Sequence, residues 1–270
     1  MAELVDAQVS GTCAARRGGS SPLLGTIAKD LRSVPKPSGL GRFPNVFGSA
    51  RWGASQGSAG SAGGARMTIR LHRHDLPENV VFRESVAVDT ETLGLNPHRD
   101  RLCLVQLSGG DGNAEIVQID RAKSSAPRLA RLLADPGVVK IFHFARFDLA
   151  ALFNGLGVMP SPVYCTKIAS RLTRTYTDRH GLKDLAKELL DVDLSKQQQS
   201  SDWAAATLSQ AQMEYAASDV LHLHAIRRKL DERLARESRS ELAAACFQFL
   251  PTRARLDLAG WAEEDIFSHS

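Results

Sequence analysis

The sequence has no CxxC pair and no finger-type spacing among its four cysteines, Cys13, Cys103, Cys165 and Cys246. That excludes a zinc finger and a disulfide framework, and it fits reduced thiols in a cytoplasmic protein. No run of eighteen apolar residues occurs, so no transmembrane helix is expected. The N-terminus lacks a long apolar stretch behind a basic start, so a secretory signal is not expected either. No internal repeat is visible, which removes solenoid and propeller architectures. Strong charge is missing too, once the net +4 is located. Residues 1–66 hold eight Lys or Arg against three Asp or Glu. The remainder holds 26 basic and 27 acidic residues, one net negative. A near-neutral body argues against a long electrostatic track for a duplex.

Residues 1–66 also lack any helical or strand period. Gly, Ser, Ala and Pro dominate from Ser33 to Ala65, with too little apolar area to offset the entropy of ordering. They are read as a disordered leader or a mis-called start, with the body at 67–270 beginning at Met67.

In that body, strand and helix patterns alternate. Strand-like alternation begins at Met67, and apolar runs at Ser85–Val88, Leu102–Leu107, Glu115–Ile119 and Val138–Phe142 complete five strands. The Ser-Gly-Gly-Asp-Gly-Asn stretch between the second and third of these runs signals a hairpin. Helices are predicted over Ala126–Leu133, Phe144–Phe153, Thr166–Leu172, Leu182–Leu190 and Ser209–Ala235. Ser209 with Gln212 makes a capping box for the last and longest. A meander followed by strand–helix crossovers predicts an α/β domain with a mixed five-stranded sheet flanked by helices.

Three acidic patterns stand out. Asp89 and Glu91 end a buried strand, and residues i and i+2 of a strand face one side. Paired carboxylates are costly unless a cation neutralises them, and hard oxygen donors favour Mg²⁺ or Mn²⁺. Asp148 follows a second strand, on the first turns of a helix, where a capping residue is the ordinary reading. Tyr215 and Asp219, four apart, stack on one helix face. Each pattern alone fits a structural role. Their order together, Asp-x-Glu, then His-x-x-x-Phe-Asp, then Tyr-x-x-x-Asp, is far more specific.

These residues sit in VAVDTETLGL, KIFHFARFDLAAL, HGLKDL and SKQQQSSDWAAATLSQAQMEYAASDVLHLHAI. The chain from Met67 onward resembles the DEDDy branch of the DnaQ-like 3′-5′ exonucleases, within the ribonuclease D group. It is most similar there to the compact nano-RNase C enzymes of alphaproteobacteria, without the HRDC domains of full-length ribonuclease D. The resemblance implies an RNase H-like fold in a single domain. It implies a phosphodiester hydrolase with Asp89, Glu91, Asp148 and Asp219 holding two Mg²⁺ or Mn²⁺ ions and Tyr215 orienting the attacking water. The expected substrate is short RNA, dinucleotides above all, cut to nucleoside 5′-monophosphates. The resemblance further implies that Thr92 and Leu93 meet the 3′ end, with Leu93 or Leu95 wedged between the last two bases. His143 is a candidate contact near the scissile phosphate. Arg171, Arg174, Arg179, His180 and Lys196 are candidates for a 5′ phosphate. Gln106 is a sheet residue or a base neighbour, with structure the preferred reading, and Trp203 reads as a packing anchor. The tail after Pro251, with Leu256, Leu258, Trp261, Ile266 and Phe267, must fold back or meet another subunit, and an octameric homo-oligomer without membrane contact is the implied assembly. Two other functions stay open: a broader exonuclease trimming tRNA 3′ ends or degrading DNA, and an inactive RNase H-like nucleic-acid-binding module.

Overall fold

The computed structural model describes residues 68–120, 125–195, 197–198 and 200–269. Every described residue lies in one compact unit within Gly60–Ser270. The leader over residues 1–66, the start at Met67 and Lys196 lie outside the described residues.

Six strands form one mixed sheet. They are β1 (Thr68–Arg73), β2 (Ser85–Thr92), β3 (Leu102–Ser108), β4 (Asn113–Gln118), β5 (Val139–Phe142) and β6 (Val163–Cys165), in the spatial order β1-β4-β3-β2-β5-β6. The β2–β3 and β3–β4 pairs are antiparallel. The β1–β4, β2–β5 and β5–β6 pairs are parallel. All seven residues of β3 are buried, as a central strand covered on both faces requires. The β3–β4 hairpin turns through Gly110 and Gly112, both at positive φ. A Cβ on Gly110 would stand 2.8 Å from the His224 ring, so glycine is needed there for space as well as for conformation.

The helices are α1 (Pro127–Ala134), α2 (Ala145–Leu156), α3 (Thr166–Thr173), α4 (Leu182–Leu190), α5 (Gln210–Leu221), α6 (Leu223–Arg236) and α7 (Ser240–Leu256). A π-helical turn, Asp257–Trp261, follows. The capping box forms at α5, where the Ser209 side chain accepts from the Gln212 backbone and the Gln212 side chain accepts from the Ser209 backbone. Among the described residues no helix is long and apolar enough to cross a membrane.

Three expectations are corrected. The sheet has six strands, not five. β6 is only three residues long, too short to show a period, and its pairing with β5 is what makes it a strand. The segment predicted as one helix over Ser209–Ala235 is two, broken at His222 (φ −100°, ψ −8°). α5 lies against β2, β3 and β4, whereas α6 packs on α3, α4 and α7. The turn at His222 lets each half bury its own apolar face. The longest helix is α7, and Pro251 lies inside it rather than ahead of a separate tail. Proline in a helix interior costs about 3 kcal/mol. Burial of Phe247, Leu250 and Ala254 on either side of it offsets that cost.

Candidate active site

Strand β2 delivers two carboxylates to one face. In the β2–β3 ladder Asp89 lies opposite Gln106 and Glu91 opposite Leu104, and the register shifts at Glu91/Thr92. Such a bulge ends the pairing and re-aims the chain, as is common beside active sites. Helix α5 packs over β2, β3 and β4. Its buried residues Ala216, Ala217 and Val220 are small enough for close approach. One turn along α5, Tyr215 and Asp219 reach the same spot. Single carboxylate oxygens of Asp89, Glu91 and Asp219 lie within 4.8 Å of one another.

Asp148 reaches the site from α2 and is 3% exposed. Thr90 points to the opposite side of β2 from Asp89 and Glu91, and its hydroxyl donates to Asp148 Oδ1 at 2.7 Å. The sequence reading missed Thr90, because a residue between two acidic partners looks like a spacer. The turn before α2 is unusual too. Phe144 adopts the left-handed conformation (φ 67°, ψ 45°), rare for a bulky residue, and it holds the α2 N-terminus at its angle.

Electrostatics follow from the crowding. Burial, reinforced by the charges of Asp148, Asp219 and Glu91, drives Asp89 well above the usual carboxylate range. Asp89 keeps some surface open, but protein atoms crowd it on the other sides. Glu91 is raised to about 8 by burial first and then by Asp219 and Asp148. Burial also raises Asp148 and Asp219 to about 7 each. Four carboxyl groups that resist ionising together are what a divalent cation relieves. All donors are carboxylate oxygens, the set that suits Mg²⁺ or Mn²⁺. The residues present therefore fit a divalent cation.

Tyr215 hydrogen-bonds to Asp219, and burial together with the nearby carboxylates pushes its phenol above its ordinary value. It stays protonated at neutral pH, so it can orient a water but is a poor base. Trp203, 3% exposed, packs beside it with ring centroids 5.9 Å apart, the anchor that the sequence suggested.

His143 Nδ1 lies 2.9 Å from Thr166 Oγ1, which also approaches the Phe142 carbonyl at 3.1 Å. The threonine has a single proton and gives it to that carbonyl. The imidazole therefore donates from Nδ1, leaving Nε2 as an acceptor. Burial, with Lys167 nearby, lowers this histidine to about 3, so it is neutral. A neutral ring with a free lone pair accepts from a hydroxyl and does not attract a phosphate oxygen.

Beyond Glu91, the chain turns through a loop closed by the Leu93 N–H to the Arg101 carbonyl. Leu93 is 52% and Leu95 84% exposed, so neither is a core residue. Thr92 is half-buried, and its hydroxyl donates to the Gly94 carbonyl. Gly94 lies close under Asp100: an added Cβ would fall 2.4 Å from its carboxylate, so that side chain would have to move.

The basic group before α5 is partly corrected. Arg174 is 1% exposed and faces inward. Its guanidinium is held by Glu188, Ser170 Oγ and the Arg179 carbonyl, so its donors are already engaged. Glu188 also binds Tyr176 and Arg233. Nothing in the local sequence marked Glu188, fourteen residues from Arg174, as the partner. Arg171 and Arg179 are exposed, and half-buried His180 pairs its Nδ1 with Ser170 Oγ at 2.8 Å. Gln106 is fully buried, so it cannot be a base neighbour.

A mixed sheet that carries clustered carboxylates at a strand end, with a tyrosine on the covering helix, defines a DnaQ-like nuclease. The chain belongs to the 3′-5′ exonuclease family, whose model matches residues 73–235. Ribonuclease D of Gluconacetobacter diazotrophicus is 39% identical over 163 residues, which are 59% of this chain and 40% of that protein. The chain thus spans about two fifths of the length of such curated relatives. Among solved structures, Brucella melitensis NrnC with bound Mg²⁺ is 62% identical, with a TM-score of 0.72, and is matched over 75% of this chain and all of its own. The same protein bound to pGG is 64% identical, with a TM-score of 0.73, over 76% and 100%. Escherichia coli RNase D is 26% identical, with a TM-score of 0.56, over 64% and 45%.

Proposed function

We propose that this exonuclease is a two-metal 3′→5′ exoribonuclease that takes very short RNA, dinucleotides above all, to nucleoside 5′-monophosphates. The observation that carries the proposal is the convergence of Asp89, Glu91 and Asp219 within 4.8 Å, with Asp148 pressing on them electrostatically. Similarity to a protein solved both with Mg²⁺ and with pGG supports the same reading.

Asp89, Glu91 and Asp219 would hold one Mg²⁺ or Mn²⁺ ion, and Asp89 with Asp148 a second. Bound divalent ions supply Lewis-acid polarisation of the phosphate and a lowered pKa for the attacking water. The chain supplies the rest. The Tyr215 hydroxyl orients that water while keeping its own proton. The backbone at Thr92 and Leu93 receives the terminal nucleotide, and exposed Leu93 or Leu95 wedges against its base. His143 Nε2 accepts a hydroxyl of the substrate. Arg171 and Arg179 are the exposed cations for a 5′ phosphate, with His180, held neutral by burial and the nearby arginines, as a hydrogen-bonding neighbour and Lys196 a candidate from the sequence. Arg174 acts behind them as scaffold. The near-neutral body suits a substrate with few phosphates.

Exposed Trp261, Ile266 and Phe267 at the C-terminal end support a homo-oligomer, the octamer being the specific proposal. A cytoplasmic location and an exonuclease domain over 67–270 belong to the same reading. Light scattering that gives a monomer would remove the oligomer.

The decisive experiment is a time course with end-labelled RNAs of two to seven nucleotides in Mg²⁺ or Mn²⁺. Fast conversion of the dimer to mononucleotides, with slow attack on longer chains, is expected. Equal rates at all lengths would favour a broader ribonuclease D-like exonuclease instead. Asp89→Ala should abolish turnover.

A further inference from the structure

Gln106 is buried completely, yet neither atom of its carboxamide has a hydrogen-bond partner among the described residues. That is an expensive arrangement. An unsatisfied buried amide costs about 1–3 kcal/mol, and a leucine or methionine would fill the same space without that cost. Something must make the polar group worth keeping.

Its neighbours narrow the options. Gln106 sits at the centre of the sheet, between Asp89 on β2 and Ile116 on β4, on the face that α5 covers. Ile116 offers no polar atom. Ser108, two residues along the same strand, is already engaged: its hydroxyl donates to the Asn113 carbonyl and accepts from the Gly110 N–H. On α5, buried Ala216, Ala217 and Val220 offer no polar side-chain atom, and Tyr215 and Asp219 hydrogen-bond to each other. Two polar side chains remain on the diagonals. Glu91 follows Asp89 by two residues. Gln118 follows Ile116 by two, with its Nε2 given to the Ala205 carbonyl and its Oε1 unpartnered. Directly opposed residues bring their Cβ atoms to roughly 4.5–5.5 Å, whereas diagonal neighbours stand roughly 7–8 Å apart. The opposed residue, Asp89, is therefore the first partner within reach.

We propose that Gln106 is the positioning residue of the acidic centre: its carboxamide, unpartnered without metal, turns its Nε2 to donate to the opposed Asp89 carboxylate when a cation binds, and holds that carboxylate in its coordinating rotamer. The role rests on Asp89 being a metal ligand, as proposed above. A carboxylate offers about four lone-pair sites, so Asp89 keeps hydrogen-bonding capacity beyond the two ions it would share, and a buried carboxylate needs that capacity filled. Gln106 supplies a neutral donor. A lysine or arginine there would compete with the ions for the same carboxylates. The amide also orients Asp89 without adding another negative charge to the cluster.

The test compares the full-length protein with Gln106→Met and Asp89→Ala. Mn²⁺ binding is followed by the electron paramagnetic resonance of the free ion, and melting temperature is measured in chelator. Met matches the length of Gln and removes both polar atoms. The expected result is Mn²⁺ binding weakened about 10- to 100-fold in Gln106→Met, the usual cost of losing a group behind a metal ligand. Its metal-free melting temperature should be equal to or above that of the wild type. Its turnover should recover when Mn²⁺ is raised. Wild-type Mn²⁺ affinity in Gln106→Met, with a lowered melting temperature, overturns the proposal and makes Gln106 part of the scaffold. Asp89→Ala separates the two levels. If it binds Mn²⁺ like the wild type, the metal reading itself fails, and the role of Gln106 fails with it. A second readout needs no variant. The side-chain amide protons of Gln106, followed by ¹⁵N NMR, should shift and gain exchange protection when Mg²⁺ is added. Unchanged signals in a protein that binds Mg²⁺ overturn the proposal even if Gln106→Met does not fold.

Discussion

Thr90 Oγ1 donates to Asp148 Oδ1 across 58 residues of sequence, at 2.7 Å. One hydroxyl on β2 thereby sets where the carboxylate of α2 stands relative to Asp89 and Glu91. Thr90→Val keeps the shape and removes the donor. With saturating Mg²⁺, which keeps Asp148 ionised, it should cost about 1.5–3 kcal/mol in urea unfolding, the range for a hydrogen bond to a charged group. It should also lower turnover about tenfold or more, with Thr90→Ser retaining most of both. Wild-type turnover in Thr90→Val would show that Asp148 needs no such support.

The pH dependence of stability has a fixed sign. Glu91 sits at about 8, and Asp148 and Asp219 at about 7, all above their unfolded values near 4. Between those limits the native state binds more protons than the unfolded chain, so stability falls as pH rises. In chelator the melting temperature should drop from about pH 4 to about pH 8. With saturating Mg²⁺ the drop should shrink or vanish, because the ion takes the place of the protons. A flat profile in chelator would contradict the clustering.

Tyr215→Phe keeps the ring against Trp203 and removes the hydroxyl. Turnover should fall about 100-fold, the cost of letting a reacting group drift by about 1 Å. Mn²⁺ affinity should fall far less than in Asp89→Ala, since the carboxylates carry it. The pH–rate profile of the remaining activity should keep its rising limb, because a phenol that stays protonated does not shape it. Undiminished turnover would remove Tyr215 from the mechanism.

Leu93→Ala and Leu95→Ala test the 3′-end contact. Both side chains are exposed, so stability should move by no more than about 0.5 kcal/mol. The one that wedges against a base should raise KM about tenfold with little change in kcat, as lost uniform binding does. If neither variant changes KM, the wedge lies elsewhere.

Arg174→Ala should behave as a stability variant. Removing the guanidinium leaves Ser170 Oγ and the Arg179 carbonyl without that donor, which should cost about 1–3 kcal/mol in unfolding experiments, while Glu188 keeps Arg233 and Tyr176. Arg179→Ala, on the surface, should leave stability nearly unchanged and raise KM for 5′-phosphorylated dinucleotides. The reverse pattern would restore Arg174 to the substrate.

Local geometry explains what was legible in the text. The shared face of Asp89 and Glu91 follows from the two-residue period of a strand, and the stacking of Tyr215 and Asp219 from the helical turn. Gly110 and Gly112 marked the hairpin, and Ser209 with Gln212 marked a helix start, because each satisfies backbone groups within a few residues. These features depend on covalent geometry and need no knowledge of the rest of the chain. The α/β alternation and the ordered set of acidic residues were therefore available from the sequence alone. Tertiary packing decided the rest. It paired β6 with β5, broke the α5–α6 helix at His222 and kept α7 running through Pro251. It also placed Asp148 against Thr90, turned Arg174 inward to Glu188 and left Leu93 and Leu95 in solvent. Each of these depends on which apolar surfaces are buried together, and that is a property of contacts between residues far apart in sequence, which no local period records.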